Sequence, residues 1–457
     1  MKRYSLTALI LSLLAGLLFT ACDSDDGENL VPSRDCIIQN IVLGTLEQPR
    51  TVKGSKGQDS TYIAMIPGVQ YPMSIDQING RIFNPDSLPK GTDVTKVQFA
   101  TLMVTGYTTV KSLITGEDTL MTINDTLDFT KPRVVTVHAT DRRFTRDYTL
   151  EIRIHKESPD SIVWQNLTPT ASSALQQYAD CRVLSADNNL YVFGKLSDGT
   201  SQVMTTGITA PDFNSTSALT TAEGQSLDIR SIQRLGQTFY GLSEGKVFLT
   251  TQDATQPWTA AESNMAHFDA MVACSTDSLY ALEGGKMYAS ADGCQWTASE
   301  ADTENKWPAE NIVSTLVLSD EKPGETTLLL AGSLSSEQVV WQHIFKKGSY
   351  FSYPWMFMPQ TEELKQFAYP DLEQPTLISY DEMPLLFGIA RDTKKPVFYQ
   401  SADGGRTWKE INMKFPTPAE TGVTAVAIDK DNYVWTVCCA AGQVFKGRHN
   451  RLGWLMR

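Results

Sequence analysis

An all-β architecture, a β-sandwich followed by a β-propeller of six blades, is what this 457-residue sequence predicts. Three observations carry the prediction. Runs rich in Val, Ile, Thr, Tyr and Phe are broken at short intervals by turn residues, and no long stretch keeps a helical apolar period. From Ile162 onward, a unit of two apolar runs, a turn and a tryptophan recurs. With Tyr191, Tyr240, Tyr280, Leu329, Leu386 and Val434 as equivalent positions, the units lie 49, 40, 49, 57 and 48 residues apart. That is the size of a four-stranded propeller blade.

Residues 1–21 read as a secretory leader. Lys2 and Arg3 precede an apolar run, Leu6 to Phe19, that falls short of the roughly 20 residues needed to span a bilayer. The leader ends Phe19-Thr20-Ala21-Cys22, which resembles the lipobox of bacterial lipoproteins, with Phe19 where that motif usually has Leu. The resemblance implies that Cys22 is acylated and becomes the new N-terminus. Residues 22–35, opening Asp23-Ser24-Asp25-Asp26, form an acidic tether with no apolar pattern. Such a run after the cysteine is similar to the surface-export signal of Bacteroidetes-type lipoproteins, which implies an outer-membrane chain displayed on the cell surface. Loss of Lys2 and Arg3 with the leader moves the formal net charge from −13 to −15. So acidic a chain, with no basic cluster, repels phosphate backbones, and nucleic acid is not an expected partner.

Residues 36–157 form the first folded unit. Val135, Val137 and Ala139 alternate with polar residues, Asp141 to Asp147 turn, and Tyr148, Leu150, Ile152 and Ile154 alternate again. This is a hairpin with one face inward. Its ending, VTVHATDRRFTRDYTLEIRI, resembles the closing hairpin of cadherin-like or immunoglobulin-like sandwiches, and the expected role is a spacer.

Residues 158–457 hold the repeats. Ser401-Ala402-Asp403-Gly404-Gly405-Arg406-Thr407-Trp408 matches the Asp-box of BNR-repeat propellers, and Ser290-Ala291-Asp292-Gly293-Cys294-Gln295-Trp296 is one residue short of it. The mechanics are local: Ser and Asp side chains take backbone N–H groups, Gly supplies positive φ, and Trp packs beneath the turn. Ser290, Asp292, Gly293, Trp296, Ser401, Asp403, Gly405, Thr407 and Trp408 are therefore expected to be structural. A ring must hide its open edges, and Ile162 to Leu167 is the expected closing strand. The layout resembles an uncharacterised family of Bacteroidetes lipoproteins that pairs an N-terminal β domain with a propeller.

Chemistry is sparse. The histidines (His138, His155, His267, His343 and His449) are scattered, no HExxH, GxSxG or phosphate-binding glycine loop occurs, and neither metal nor cofactor is expected. After lipidation six cysteines remain, Cys36, Cys181, Cys274, Cys294, Cys438 and Cys439; Cys274 with Cys294 is the first pair to test for a bridge. A sialidase-like glycosidase is the enzymatic alternative, but the Phe/Tyr-Arg-Ile-Pro segment of that family is missing. Its carboxylate-gripping arginines would have to come from Arg182, Arg230, Arg234, Arg391, Arg406, Arg448, Arg451 and Arg457. The preferred reading is a non-catalytic binding or scaffolding module for a glycan or an envelope protein. Trp307, Trp341 and Trp355, with Tyr350 and Tyr353, are candidates for stacking on sugar rings, against the competing reading that they are blade core.

Overall fold

The computed structural model describes residues 33–53, 58–251, 253–303, 306–318, 324–346 and 353–453. Cys22 and its flanks, Tyr350 and Trp454 lie outside the described residues. Two compact units divide between Ser158 and Pro159. Among the described residues no helix is long and apolar enough to cross a membrane.

In the first unit the expected hairpin is formed by Arg133–His138 and Thr145–Glu151, with Val135 opposite Tyr148. Val135, Val137, Tyr148 and Leu150 are fully buried, whereas Val134 is exposed, which is the period-2 pattern seen in the sequence. The hairpin is the centre of a six-stranded sheet completed by Ser74–Asp76, Arg81–Phe83, Tyr107–Lys111 and Asp118–Met121. The antiparallel pair Ile38–Leu43 and Phe99–Val104 supplies Ile38, Ile41, Leu43 and Phe99 to the same core. Thr45–Lys53 and Asp59–Pro67 form a separate hairpin. This division differs from the four-plus-three order of an immunoglobulin constant domain. Moreover, Arg81–Phe83 runs parallel to Thr145–Glu151, where the immunoglobulin sheets are antiparallel.

Among the described residues the second unit is a ring of six four-stranded sheets. Blade 1 runs from Tyr178–Ala186 to Ser217–Ala218, blade 2 from Asp228–Leu235 to Thr259–Ala260, and blade 3 from Ala270–Cys274 to Thr297–Ala298. Blade 4 runs from Glu310–Leu318 to Met356–Phe357 and blade 5 from Leu372–Tyr380 to Lys409–Ile411. Blade 6 takes three strands from the C-terminal end, Thr424–Ile428, Val434–Cys438 and Gln443–His449, and its fourth, Ile162–Asn166, from the beginning of the unit. Ile162 pairs with His449 and Asn166 with Phe445. Trp164 locks this seam: its Nε1 donates to the Met413 carbonyl at 2.9 Å, and its ring lies so close over Gly447 that a Cβ there would come within 2.6 Å of it.

The second strands carry central apolar runs because both faces are covered, each by a different neighbour. Leu328 and Leu330 join the cluster between blades 3 and 4, while Leu329, between them, joins the cluster between blades 4 and 5. Leu190 and Val192 face blade 6, and Tyr191 and Phe193 face blade 2.

The two Ser-x-Asp turns link the third and fourth strands of blades 3 and 5. Ser401 Oγ accepts the Gly405 N–H at 2.7 Å, and Asp403 takes the N–H and hydroxyl of Thr407 at 2.8 and 2.7 Å. Ser290 Oγ accepts the Gly293 N–H at 2.9 Å, and Asp292 takes those of Cys294 and Gln295, each at 2.8 Å. The buried indoles return a bond, Trp408 Nε1 to Gly405 O and Trp296 Nε1 to Gly293 O, both 2.9 Å. Each turn also abuts the preceding blade: at Gly405, with φ +96°, a Cβ would lie 2.6 Å from Leu329, and at Gly293, with φ +73°, it would lie 2.7 Å from Tyr240. The eroded turn ending at Trp258 keeps the device, with Asp253 taking the Thr255 N–H at 2.9 Å and Trp258 Nε1 donating to Ala254 O at 3.2 Å.

Two stability predictions follow from these contacts. Asp403→Ala should cost about 1 kcal/mol and Trp408→Ala about 3–5 kcal/mol at neutral pH, read as denaturant midpoints. Burial alone would raise the Asp403 carboxyl, but the bonds from Thr407 and Ser401 prevail and hold it below its ordinary 3.8. Its contribution is therefore complete above pH 3.8 and lost as the pH falls through the lower folded value, so the Asp403→Ala deficit should vanish there. A deficit independent of pH would contradict this. Separately, a fragment of residues 158–457 should be soluble and monomeric, whereas 168–457, which lacks the closing strand, should aggregate in size-exclusion runs.

Candidate functional site

The first strand of each blade faces the ring axis and contacts those of the adjacent blades, so six strands wall a cavity of about 410 Å³. Its polar lining includes Arg182, Ser185, Gln233, Ser314, Thr376 and Ser379, among Ile312, Leu316, Ala425 and Ala427. Where these strands begin, a second cavity of about 430 Å³ forms the mouth, lined by Asp180, Asp228, Arg230, Asp269, Asn311 and Gln374. The two cavities share Arg230, Ile312 and Pro375.

The backbone at the mouth explains why these side chains converge. The first strands of blades 1 to 5 each slip register near their start, between Tyr178 and Asp180, Asp228 and Gln233, Met271 and Ala273, Glu310 and Val313, and Glu373 and Thr376. Such bulges bend a strand and re-aim its side chains. Asn311 and Gln374 sit in two of them with φ of 51° each.

Arg230 organises the mouth. Its Nε donates to Asp180 Oδ2 at 2.9 Å, a second bond joins Nη2 to Asp180 Oδ1, and Nη2 also reaches Gln374 Oε1 at 2.6 Å. Burial disfavours this guanidinium's charge, yet the Asp180 bonds and charge outweigh it and raise its basicity. Asp228 accepts the Arg230 N–H at 3.0 Å and Asp269 the Gly284 N–H at 2.9 Å, so each carboxylate at the mouth has a partner. Asp269 also stands with His267 and Glu283 in a solvent-facing group whose ligand atoms lie within 4.8 Å of one another. His267 Nδ1 is 3.0 Å from Glu283 Oε2. No sequence motif announced this group, because its members meet across a strand pair rather than at a metal-site spacing.

The aromatic candidates are corrected. Trp307, Trp341 and Trp355 are buried in the blade 3–blade 4 cluster, where Trp307 stacks on Trp341 at 3.9 Å and meets Trp355 edge-on at 5.8 Å. At 6%, 0% and 0% exposed they leave no face for a sugar. Tyr353 is half-buried and lies beneath the Lys346 ammonium. All six described cysteines, Cys274 and Cys294 among them, are free thiols. Cys274, on the axial wall, donates to the Arg234 carbonyl at 3.2 Å, whereas Cys294 sits in the peripheral turn. Neither Asp292 nor Asp403 lines the axial cavities. Of the propeller arginines, Arg182 and Arg230 do; Arg234 is paired with Asp187 and Arg391 with Asp371.

Among solved structures the chain is similar to the Hadza microbial sialidase Hz136, at 10% identity over 90% of each chain with a TM-score of 0.38. It is also similar to the SapL1 lectin solved with alpha methyl fucoside, at 12% identity over 58% of this chain and 90% of that one, TM-score 0.33. A third is the GH74 xyloglucanase from Xanthomonas campestris, at 15% identity over 72% of this chain and 52% of that one, TM-score 0.33. Likenesses at this level say nothing about ligand or chemistry. No curated protein matches significantly. The DUF6242 beta propeller domain matches residues 158–456, and the DUF6242 N-terminal domain, a domain of unknown function, matches residues 41–152.

Proposed function

We propose that this chain, which belongs to the DUF6242 family, is an exported lipoprotein anchored through Cys22 to the outer membrane and displayed at the cell surface. Its N-terminal β unit is the spacer, and its propeller is a non-catalytic binding module that takes a glycan or an envelope protein at the axial mouth. The observation that supports this most is the mouth itself. Six polar side chains from five blades converge on a concave opening, where Arg230 is held by Asp180 and Gln374 and the carboxylates of Asp228 and Asp269 are held by backbone N–H groups. Rigid, pre-positioned polar groups recognise a ligand without losing order when they bind.

A glycoside hydrolase is the second reading, supported by the three carboxylates Asp180, Asp228 and Asp269 at the same mouth. Release of 4-methylumbelliferone from a panel of its glycosides would favour the hydrolase, and glycan-array capture without release favours the binding module. For a captured ligand, Asp269→Asn should weaken binding roughly tenfold through loss of a charged acceptor, with an unchanged melting curve. Unaltered affinity would show that the ligand binds elsewhere than at the mouth. The anchor has its own test. Palmitate should label the wild-type chain and not Cys22→Ala, and equal labelling of the two would exclude Cys22 as the lipid site.

A further inference from the structure

Arg182 stands out among the propeller's charged groups. It lies on the first strand of blade 1, in the wall of the axial cavity. Nη1 donates to the Arg230 carbonyl at 2.6 Å, but Nε is buried with no acceptor. Among the described residues, no carboxylate comes within ion-pairing distance of it, whereas Arg230, Arg234, Arg391 and Arg451 each have one. The cavity lining contains two arginines and no acid, and Arg230 is neutralised by Asp180 at the mouth. Burial pulls the Arg182 guanidinium down to about 10 and the nearby Arg230 adds to this, while Asp228 offsets it only in part. At neutral pH the group is still charged, and a buried charge without a counterion is destabilising.

We propose that the axial cavity binds a small, hydroxyl-rich monocarboxylate, a sugar acid in chemical class, whose carboxylate is taken by Arg182. Within the axial lining one guanidinium lacks a paired carboxylate, which favours a ligand with one negative charge. With Nη1 already engaged and Nε buried, Nη2 is the guanidinium donor left for a ligand, and a carboxylate oxygen accepts a charge-assisted bond from it. A phosphate dianion would need a second free cation, which the wall does not supply. Ser185, Ser314, Thr376 and Ser379 offer hydroxyls to a polyol, and Ile312, Leu316 and Ala427 offer apolar surface to ring C–H groups. A volume of about 410 Å³ is adequate for a monosaccharide.

This inference deepens the binding-module reading and rests on its assignment of the ring axis as the ligand face. The test is calorimetric titration of the purified full chain with D-galacturonate, D-glucuronate, D-galactose and inorganic phosphate. A uronate should bind saturably and at least thirtyfold more tightly than galactose, and Arg182→Gln should lose that preference. Arg182→Lys, which keeps the charge without the fork, should retain part of it. Arg182→Met serves as the folding control. Without ligand it should melt higher than wild type, since an uncompensated buried charge is gone, and uronate should raise the melting temperature of the wild type and not of Arg182→Met. The proposal is overturned if no uronate binds, if Arg182→Gln binds uronate as wild type does, or if phosphate binds more tightly than either uronate. A neutral glycan that binds the mouth while uronates do not would overturn this proposal and leave the binding module standing.

Discussion

Each blade is a sheet with two apolar faces, and each face is covered by a different neighbour. The rest of the propeller depends on that constraint. Alternation along a single strand makes it visible: Leu328 and Leu330 pack toward Tyr280 and Trp341, and Leu329 packs toward Tyr369 and Trp408. Covering one such side chain contributes about 1.5–3 kcal/mol, so a blade removed from the ring forfeits several such contributions on both sides. No unit of this kind stands alone, and the ring must close on itself.

Closure and the Ser-x-Asp turns serve that same packing. Ile162–Asn166 covers the edge that blade 6 would otherwise expose, with Trp164 filling the space that Gly447 leaves open. The turns lay Gly293 on Tyr240 and Gly405 on Leu329, which sets the spacing of one blade against the last. Their aspartates are committed to backbone N–H groups at the periphery. This leaves the axis, where five bulged strands converge, as the place with polar side chains to present.

Features governed by local pattern were legible in the sequence. The runs around Tyr191, Tyr240, Tyr280, Leu329, Leu386 and Val434 became the second strands of the six blades, and Ile162 to Asn166 closes the ring as its position suggested. The hairpin around Val135 and Tyr148 formed in the expected alternation. What could not be read depends on distant chain segments. A tryptophan in an apolar run looks the same whether it faces solvent or a second blade, so sequence alone kept both readings of Trp307, Trp341 and Trp355 open, and the structure decides for blade core. Asp180, Arg230, Asp269 and Gln374 come from four blades, and only the ring and its bulges bring them together. Nor does any residue pattern announce that Arg182 is left without a counterion, because that follows from what its neighbours are not. The parallel pairing of Arg81–Phe83 with Thr145–Glu151 is equally non-local.

If the propeller is one cooperative ring, its first and last strands are as secure as its interior. Native-state hydrogen exchange read by mass spectrometry tests it most directly. Amides in Ile162–Asn166 and Gln443–His449 should exchange with the same opening free energy as those in Val434–Cys438 and Asn189–Leu196. Exchange of Ile162–Asn166 at rates near those of an unprotected strand, with the other blades still protected, would contradict it.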